Sequence, residues 1–358
     1  MKKLNTRAGS LKLALFSTTM LFALAACSSD NADTPEDNGT GNTSEPDTQE
    51  EETDYPIVIE HAFGEAVIEE KPERVATVQW GNQDVVLALG VEPVGFSAAN
   101  FGVQDDSGLL PWTAEQIDEL GIEDPNIYQD TDGLDFEAIS DSQPDVIMAA
   151  YSGITQEDYD LLSQIAPVVA YPTSAWTTTW REQIEMISTG MGMAAEGEQL
   201  IADTEDEVAE KLSEHPEIEG KSVVWVNFSA TDMSGLHLYT PVDTRVKFLV
   251  DELGMEYPQS VTDAIEDDTA YSLSLSAENA DLLNDADIII GYGDDELYEA
   301  VQADSRLGQI PAIERGSVFF IGNSTPLAAS GTPTSLSISY TIDEYLDLIG
   351  EAVSQLDE

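Results

Sequence analysis

DFEAISDSQPDVIMAAY (residues 135–151) and SAENADLLNDADIIIGY (residues 276–292) decide the fold. In each, a short helical pattern opened by a glutamate runs into an aliphatic block, and the block ends on a tyrosine. Blocks of this length are too short for a helix and carry no polar alternation, so they read as strands covered on both faces. Fourteen positions separate Glu137 from Tyr151 and, equally, Glu278 from Tyr292, which makes the two halves of the chain echo each other. An acid that opens a helix feeding a parallel strand lies on the edge where that strand ends. Glu137 and Glu278 are therefore candidates to rim one crevice, one from each half; the alternative is that each only complements a helix dipole on a solvated surface.

The alternation of strand and helix extends outward from both stretches. IVIEHAFGEAVIEE (residues 57–70) has a hairpin's alternating pattern around Phe63 and Gly64. RVATVQW (74–80), PVGFSA (93–98), DVIMAA (145–150) and PVVAY (167–171) read as strands, with helices over 82–89, 135–141 and 156–165. A second series comprises SVVWVNFS (222–229), a helix over 243–253, ADIIIGYG (286–293), VFFIGN (318–323) and a terminal helix from about Thr334. Residues 180–215 hold no strand signal and read as two consecutive helices, broken near 193–195 and stopped by Pro216. The predicted fold class is α/β: two lobes, each a mostly parallel sheet flanked by helices, joined by a long α-helix. The boundaries are 55–175 for the first lobe, 176–215 for the linking helices and 216–358 for the second lobe. Lobes joined once by a helix flex little, and a ligand belongs in the crevice between the carboxyl ends of both strand sets.

Ahead of these lobes the chain has a different character. Lys2, Lys3, Arg7 and Lys12 precede the apolar run LALFSTTMLFALAA (13–26), the pattern of a signal peptide over residues 1–26. Cys27, the only cysteine, follows Leu24, Ala25 and Ala26 in the manner of a bacterial lipobox, so it is expected to be lipidated and to anchor the protein by its acyl chains. Residues 27–54 then read as an acidic tether that cannot bury enough apolar surface to fold. The expected location is the extracytoplasmic face of the cell membrane.

Charge removes whole classes of function. The 358 residues carry 70 acids against 13 bases, a formal net charge of −57, and only nine of the bases lie after the signal. Nucleic acid needs Lys and Arg to displace its counterions, so it is excluded as a partner. The acidity suits either a high-salt habitat or simply an acidic secreted protein. The three histidines, His61, His215 and His237, show no metal-ligand spacing, and the glycine of DTDGLDFE (130–137) stands fourth where a calcium loop needs it sixth. No bare-metal site and no cofactor is expected. G-x-S-x-G and H-E-x-x-H are both absent, and GMGMAAEG (190–197) does not fit a dinucleotide loop, so an enzyme is disfavoured.

ERVATVQWGNQDVVLALGVEPVG (73–95), DGLDFEAISDSQPDVIMAAYSGIT (132–155), IAPVVAY (165–171), LYTPVDTRVKFLVDELG (238–254) and SLSLSAENADLLNDADIII (272–290) together resemble the iron-siderophore substrate-binding lipoproteins of ATP-driven uptake systems, relatives of cobalamin- and haem-binding components, and most of all the actinobacterial members. The resemblance implies a membrane-anchored receptor with the class III periplasmic-binding-protein fold that binds a ferric siderophore and hands it to an ABC permease. A monomer is expected. It also implies that Glu137 in FEAI and Glu278 in SAEN, at the positions of the family's docking glutamates, pair with permease arginines. Iron would arrive wrapped in its chelator. For the ligand, aromatic side chains at strand ends and neighbouring loops are the candidates: Trp80, Tyr151, Phe228, Tyr239, Tyr271 and Tyr292, with Trp176 and Trp180 where the linking helices begin. Arg245 either faces the oxygens around the chelated iron or is a surface arginine paired with Asp243 or Asp251. A haem or cobalamin receptor of the same fold is the alternative.

Overall fold

In a computed structural model the described residues are 53–130 and 132–356. The signal peptide, Cys27 and all but the last two residues of the tether lie outside them. The hairpin forms as its alternation dictates, with β1 (Ile57–His61) antiparallel to β2 (Gly64–Ile68).

The first sheet follows. Its strands are β3 (Val75–Thr77), β4 (Gly95–Ser97), β5 (Ile127–Tyr128), β6 (Val146–Ala149) and β7 (Val168–Ala170), ordered β5-β4-β3-β6-β7 and parallel throughout. The helices α1 (Asn82–Ala88), α2 (Pro111–Leu120), α3 (Phe136–Asp141) and α4 (Gln156–Leu162) alternate with them. Every residue of β6 is buried, which is why its sequence is unbroken Val-Ile-Met-Ala. Neither α2 nor the two-residue β5 was evident from pattern.

The linking segment is α5 (Trp180–Gly190) and α6 (Ala194–Leu212), broken at residues 191–193. Thr179 starts α5 through a capping box with Glu182.

The second sheet holds β8 (Val223–Asn227), β9 (Gly235–Tyr239), β10 (Ser272–Ser276), β11 (Ile288–Tyr292) and β12 (Val318–Ile321), in the order β10-β9-β8-β11-β12. Only β8, β11 and β12 are parallel; β9 and β10 run antiparallel to their neighbours, so this sheet is mixed. Its short helices are α7 (Thr244–Lys247), α8 (Gln259–Thr262), α9 (Asp295–Ala303), α10 (Pro311–Arg315) and α11 (Pro326–Ser330), and the chain ends in α12 (Ser335–Ser354). The helix expected over 243–253 is α7 continued by a π-helical turn, Phe248–Glu252.

The two sheets are joined more firmly than one linking helix would manage. The helix α12, which follows the second sheet, packs back against α1, α2 and α6. One apolar core runs from Val75 and Met148 of the first sheet through Trp180 and Ile184 of α5 to Trp225 and Ile290 of the second, with Ile342 and Leu346 of α12 closing it. Polar ties reinforce the seam: Arg181 grips Glu252 with both terminal nitrogens and Glu205 with Nε, while Lys211 reaches Asp343 at 2.7 Å. Asp84 is fully buried in α1 and accepts from Trp112 Nε1 (2.9 Å), Thr113 Oγ1 (2.8 Å), Gln83 Nε2 (3.2 Å) and Thr334 Oγ1 (2.7 Å). Thr334 is the N-cap of α12, so one carboxylate fixes the start of the returning helix.

Candidate functional site

Five parallel strands end on one edge of the first sheet, and the loops leaving that edge build half of a cavity of about 360 Å³. Gln79 and Trp80 come from the loop after β3, Ser97 to Phe101 from the end of β4, Asp130 from just past β5, Tyr151 from just past β6 and Trp176 from beyond β7. Two of these residues hold left-handed backbone without being glycine, Gln79 at φ 66° and Trp176 at φ 65°. Strain of this kind persists where surrounding contacts over-determine it. Here the Gln79 N–H donates to Ser97 Oγ at 2.7 Å, and the Trp176 N–H donates to the Ser152 carbonyl at 3.2 Å. Gly153 explains the indole's position, because a Cβ there would stand 2.5 Å from the Trp176 ring. Tyr151 meets that ring edge-on, centroids 5.4 Å apart, and burial pushes its phenol up to about 12, so it remains a protonated donor at neutral pH.

The second lobe completes the cavity differently from the sequence expectation, which placed the crevice between carboxyl ends on both sides. Leu238 pairs with Val226 and His237 with Asn227, a register that carries Tyr239 alongside Trp225. Their rings meet edge-to-face at 6.4 Å. The antiparallel β9 thus brings Tyr239 onto a face of the sheet, while Tyr292 arrives from the end of β11. Tyr271, just before β10, contributes the most exposed phenol of the wall.

Arg245 stands at the centre of this half. Asp243 caps α7 by accepting the Arg245 backbone N–H at 2.9 Å, and the same carboxylate takes Arg245 Nη1 at 2.9 and 3.2 Å. Arg245 Nε donates to the Tyr292 hydroxyl at 3.0 Å, and the guanidinium lies 4.2 Å above the Tyr239 ring. Tyr239 is itself held by Asn227 Nδ2 at 3.1 Å. Burial opposes the Arg245 charge, but the oxygens of Tyr292 and Asp243 outweigh it and hold the guanidinium firmly protonated. Arg245 thus pairs with Asp243 as expected, but it is largely buried rather than a surface arginine, and it lines the cavity.

Trp80, Tyr151, Tyr239, Arg245, Tyr271 and Tyr292 all lie on the cavity wall. Phe228 does not. Although it directly follows β8, it is buried in the second lobe's core against Phe320, centroids 5.9 Å apart. Proximity to a strand end does not say which side of the sheet a side chain takes. Trp180 is likewise removed from the cleft; it is buried in the core and its Nε1 donates to Glu252 at 3.1 Å. Glu137 and Glu278 are both exposed, each in the first turn of a helical segment, capped by Asp135 and Ser276 respectively.

The wall also includes Asp130, read in the sequence only as the start of a rejected calcium loop, together with Gln79, Ser97, Asn100, Phe101, Ala328 and Ala329 of α11, and Thr332 beyond it. Asp130 is buried and accepts Ser97 Oγ at Oδ2; burial pushes its carboxyl up and the Ser97 hydroxyl works against that. Phe101 meets Tyr292 edge-on at 5.8 Å, so the two lobes touch at the cavity wall. Among the described residues no cluster of three His, Cys, Asp or Glu side chains is arranged to hold a metal ion.

Residues 75–325 match the model of the periplasmic binding protein family. The probable siderophore-binding lipoprotein YfiY of Bacillus subtilis is 25% identical over 240 residues, covering 65% of this chain and 68% of that protein. The ferric enterobactin-binding periplasmic protein FepB of Escherichia coli is 23% identical over 288 residues, 76% of this chain and 86% of its own. The crystal structure of Streptococcus pneumoniae PiaA in complex with ferrichrome superposes with a TM-score of 0.80 at 51% identity, covering 84% of this chain and 99% of PiaA.

Proposed function

Because this chain belongs to the periplasmic binding protein family, whose role in ABC transport is binding and not catalysis, we propose that it is a receptor that captures a ferric siderophore between its two lobes and delivers it to an ABC permease for iron uptake. The observation that carries the reading is the cavity wall, in which aromatic rings from both lobes surround one guanidinium. Rings of this kind grip a bulky organic shell, and no protein atom is needed as a metal ligand because the chelator fills the coordination sphere. Haem is less well served, since among the described residues no histidine lines the wall.

The charge of the cavity favours one chelate class. Its ionisable carboxyls, Asp130 and Asp243, face a single guanidinium that Asp243 already engages. Three hydroxamates neutralise Fe³⁺, whereas three catecholates leave a trianion that this wall cannot neutralise. The ligand is accordingly a ferric hydroxamate of zero or positive charge. The likeness to a ferrichrome-binding protein at 51% identity agrees with that choice.

Delivery is assigned to Glu137 and Glu278, one exposed acid per lobe, pairing with arginines of the permease. Anchoring is assigned to a lipidated Cys27 at the extracytoplasmic face of the membrane. In cells that depend on this receptor, Glu137→Ala combined with Glu278→Ala should abolish uptake of labelled ferric hydroxamate while the purified variant keeps its affinity. Undiminished uptake by the double variant would remove the docking assignment.

A further inference from the structure

The cavity holds one carboxylate that the arrangement around Arg245 does not use. Asp130 sits just past β5 on the opposite wall, about 8% exposed. A hydrogen-bond relay positions it: the strained Gln79 backbone N–H donates to Ser97 Oγ, whose hydroxyl donates to Asp130 Oδ2. The other oxygen, Oδ1, accepts no hydrogen bond from another described residue. The carboxyl also accepts Asp130's own backbone N–H, and a carboxylate has acceptor capacity beyond these two bonds that a donor on a ligand can use. Among the described residues no cation besides Arg245 lines the cavity, and that guanidinium is engaged by Asp243 and Tyr292.

We infer that Asp130 is a specificity-determining residue of the cavity, which selects ferric chelates that present a cationic ammonium on the organic shell. This rests on the siderophore reading and narrows it. The iron centre and its oxygens turn toward Arg245 and the tyrosines, and the donor-bearing part of the shell turns toward Asp130. Burial discourages ionisation of Asp130 in the empty cavity, and a bound cation reverses that preference by supplying the missing charge.

A matched pair of ligands tests the inference: a linear ferric trihydroxamate carrying a pendant ammonium, and the same chelate with that amine acetylated. Binding is measured on the full chain in detergent by quenching of tryptophan fluorescence. The unaltered protein is expected to bind the ammonium form about tenfold more tightly than the acetylated form. Asp130→Asn keeps the shape and an oxygen for Ser97, and should bring that ratio to about one by weakening the ammonium form. Equal affinities of the unaltered protein for the two forms would overturn the inference. So would an Asp130→Asn variant that lost both forms equally, since the carboxylate would then only brace the loop. Failure of the unaltered protein to bind either form would overturn the receptor reading itself, and this inference with it.

Discussion

Arg245 is one base among nine in the chain after the signal, and its surroundings show why a single guanidinium can serve two purposes. The ion pair with Asp243 keeps a buried carboxylate satisfied, and the remaining face stacks on Tyr239 toward the cavity. Removing it separates the two roles. Arg245→Ala should weaken ferric chelate binding by about a hundredfold and lower stability by about 3 kcal/mol, because Asp243 is left buried without its partner. Replacing both, Asp243→Asn with Arg245→Met, should recover most of the melting temperature but none of the affinity. Recovery of binding in the double variant would show that the guanidinium acts only as a structural counter-ion. At this scale the sequence was legible where a residue type was scarce or its place unusual: the lone arginine in PVDTR, and aromatic residues where strands end. It was illegible for Asp130, one of 70 acids, and misleading for Phe228, whose position after β8 is compatible with either side of the sheet. The left-handed backbone of Gln79 and Trp176 gave no signal, because at a non-glycine residue it is imposed by tertiary contacts.

Among the elements, the parallel strands were the plainest in the sequence, since strands buried on both faces must be continuous aliphatic runs. β5 is only two residues long, and β10, SLSLS, is half polar because it forms the sheet's edge beside β9. Such pieces gain their structure from neighbours and carry little periodicity of their own. The same holds for the return of α12 onto α1 and α2, a tertiary event that no local pattern announces. Its anchor is Asp84, and that residue sets a test. Four donors converge on its two oxygens, so an amide in its place must aim an N–H at donors that need an acceptor. Asp84→Asn is expected to destabilise the fold by roughly 2–4 kcal/mol, read as a lower chemical-denaturation midpoint, with chelate affinity nearly unchanged at temperatures where the variant is folded. A midpoint equal to that of the unaltered protein would mean that the network does not tie α12 to the first lobe.

The whole molecule sets a strongly acidic body around a cavity whose charges are few and already matched. The net charge of −57 discourages approach of an anionic ligand over long range, and the Asp243 pair leaves the guanidinium little capacity to neutralise one at contact. A neutral or cationic chelate meets neither obstacle. The lobes are fastened by α5, α6 and α12 around a common core, and Phe101 meets Tyr292 between them. The central claim is that the cavity binds iron only in its chelated form. Trp80 and Trp176 stand in its wall, so the measurement that tests it most directly is a fluorescence titration of the full chain in detergent with a neutral ferric hydroxamate and with the same chelator free of iron. The account predicts saturable quenching by the ferric complex at stoichiometry near one, with little or none from the iron-free chelator. Indistinguishable responses to the two, in protein verified as folded, would contradict it.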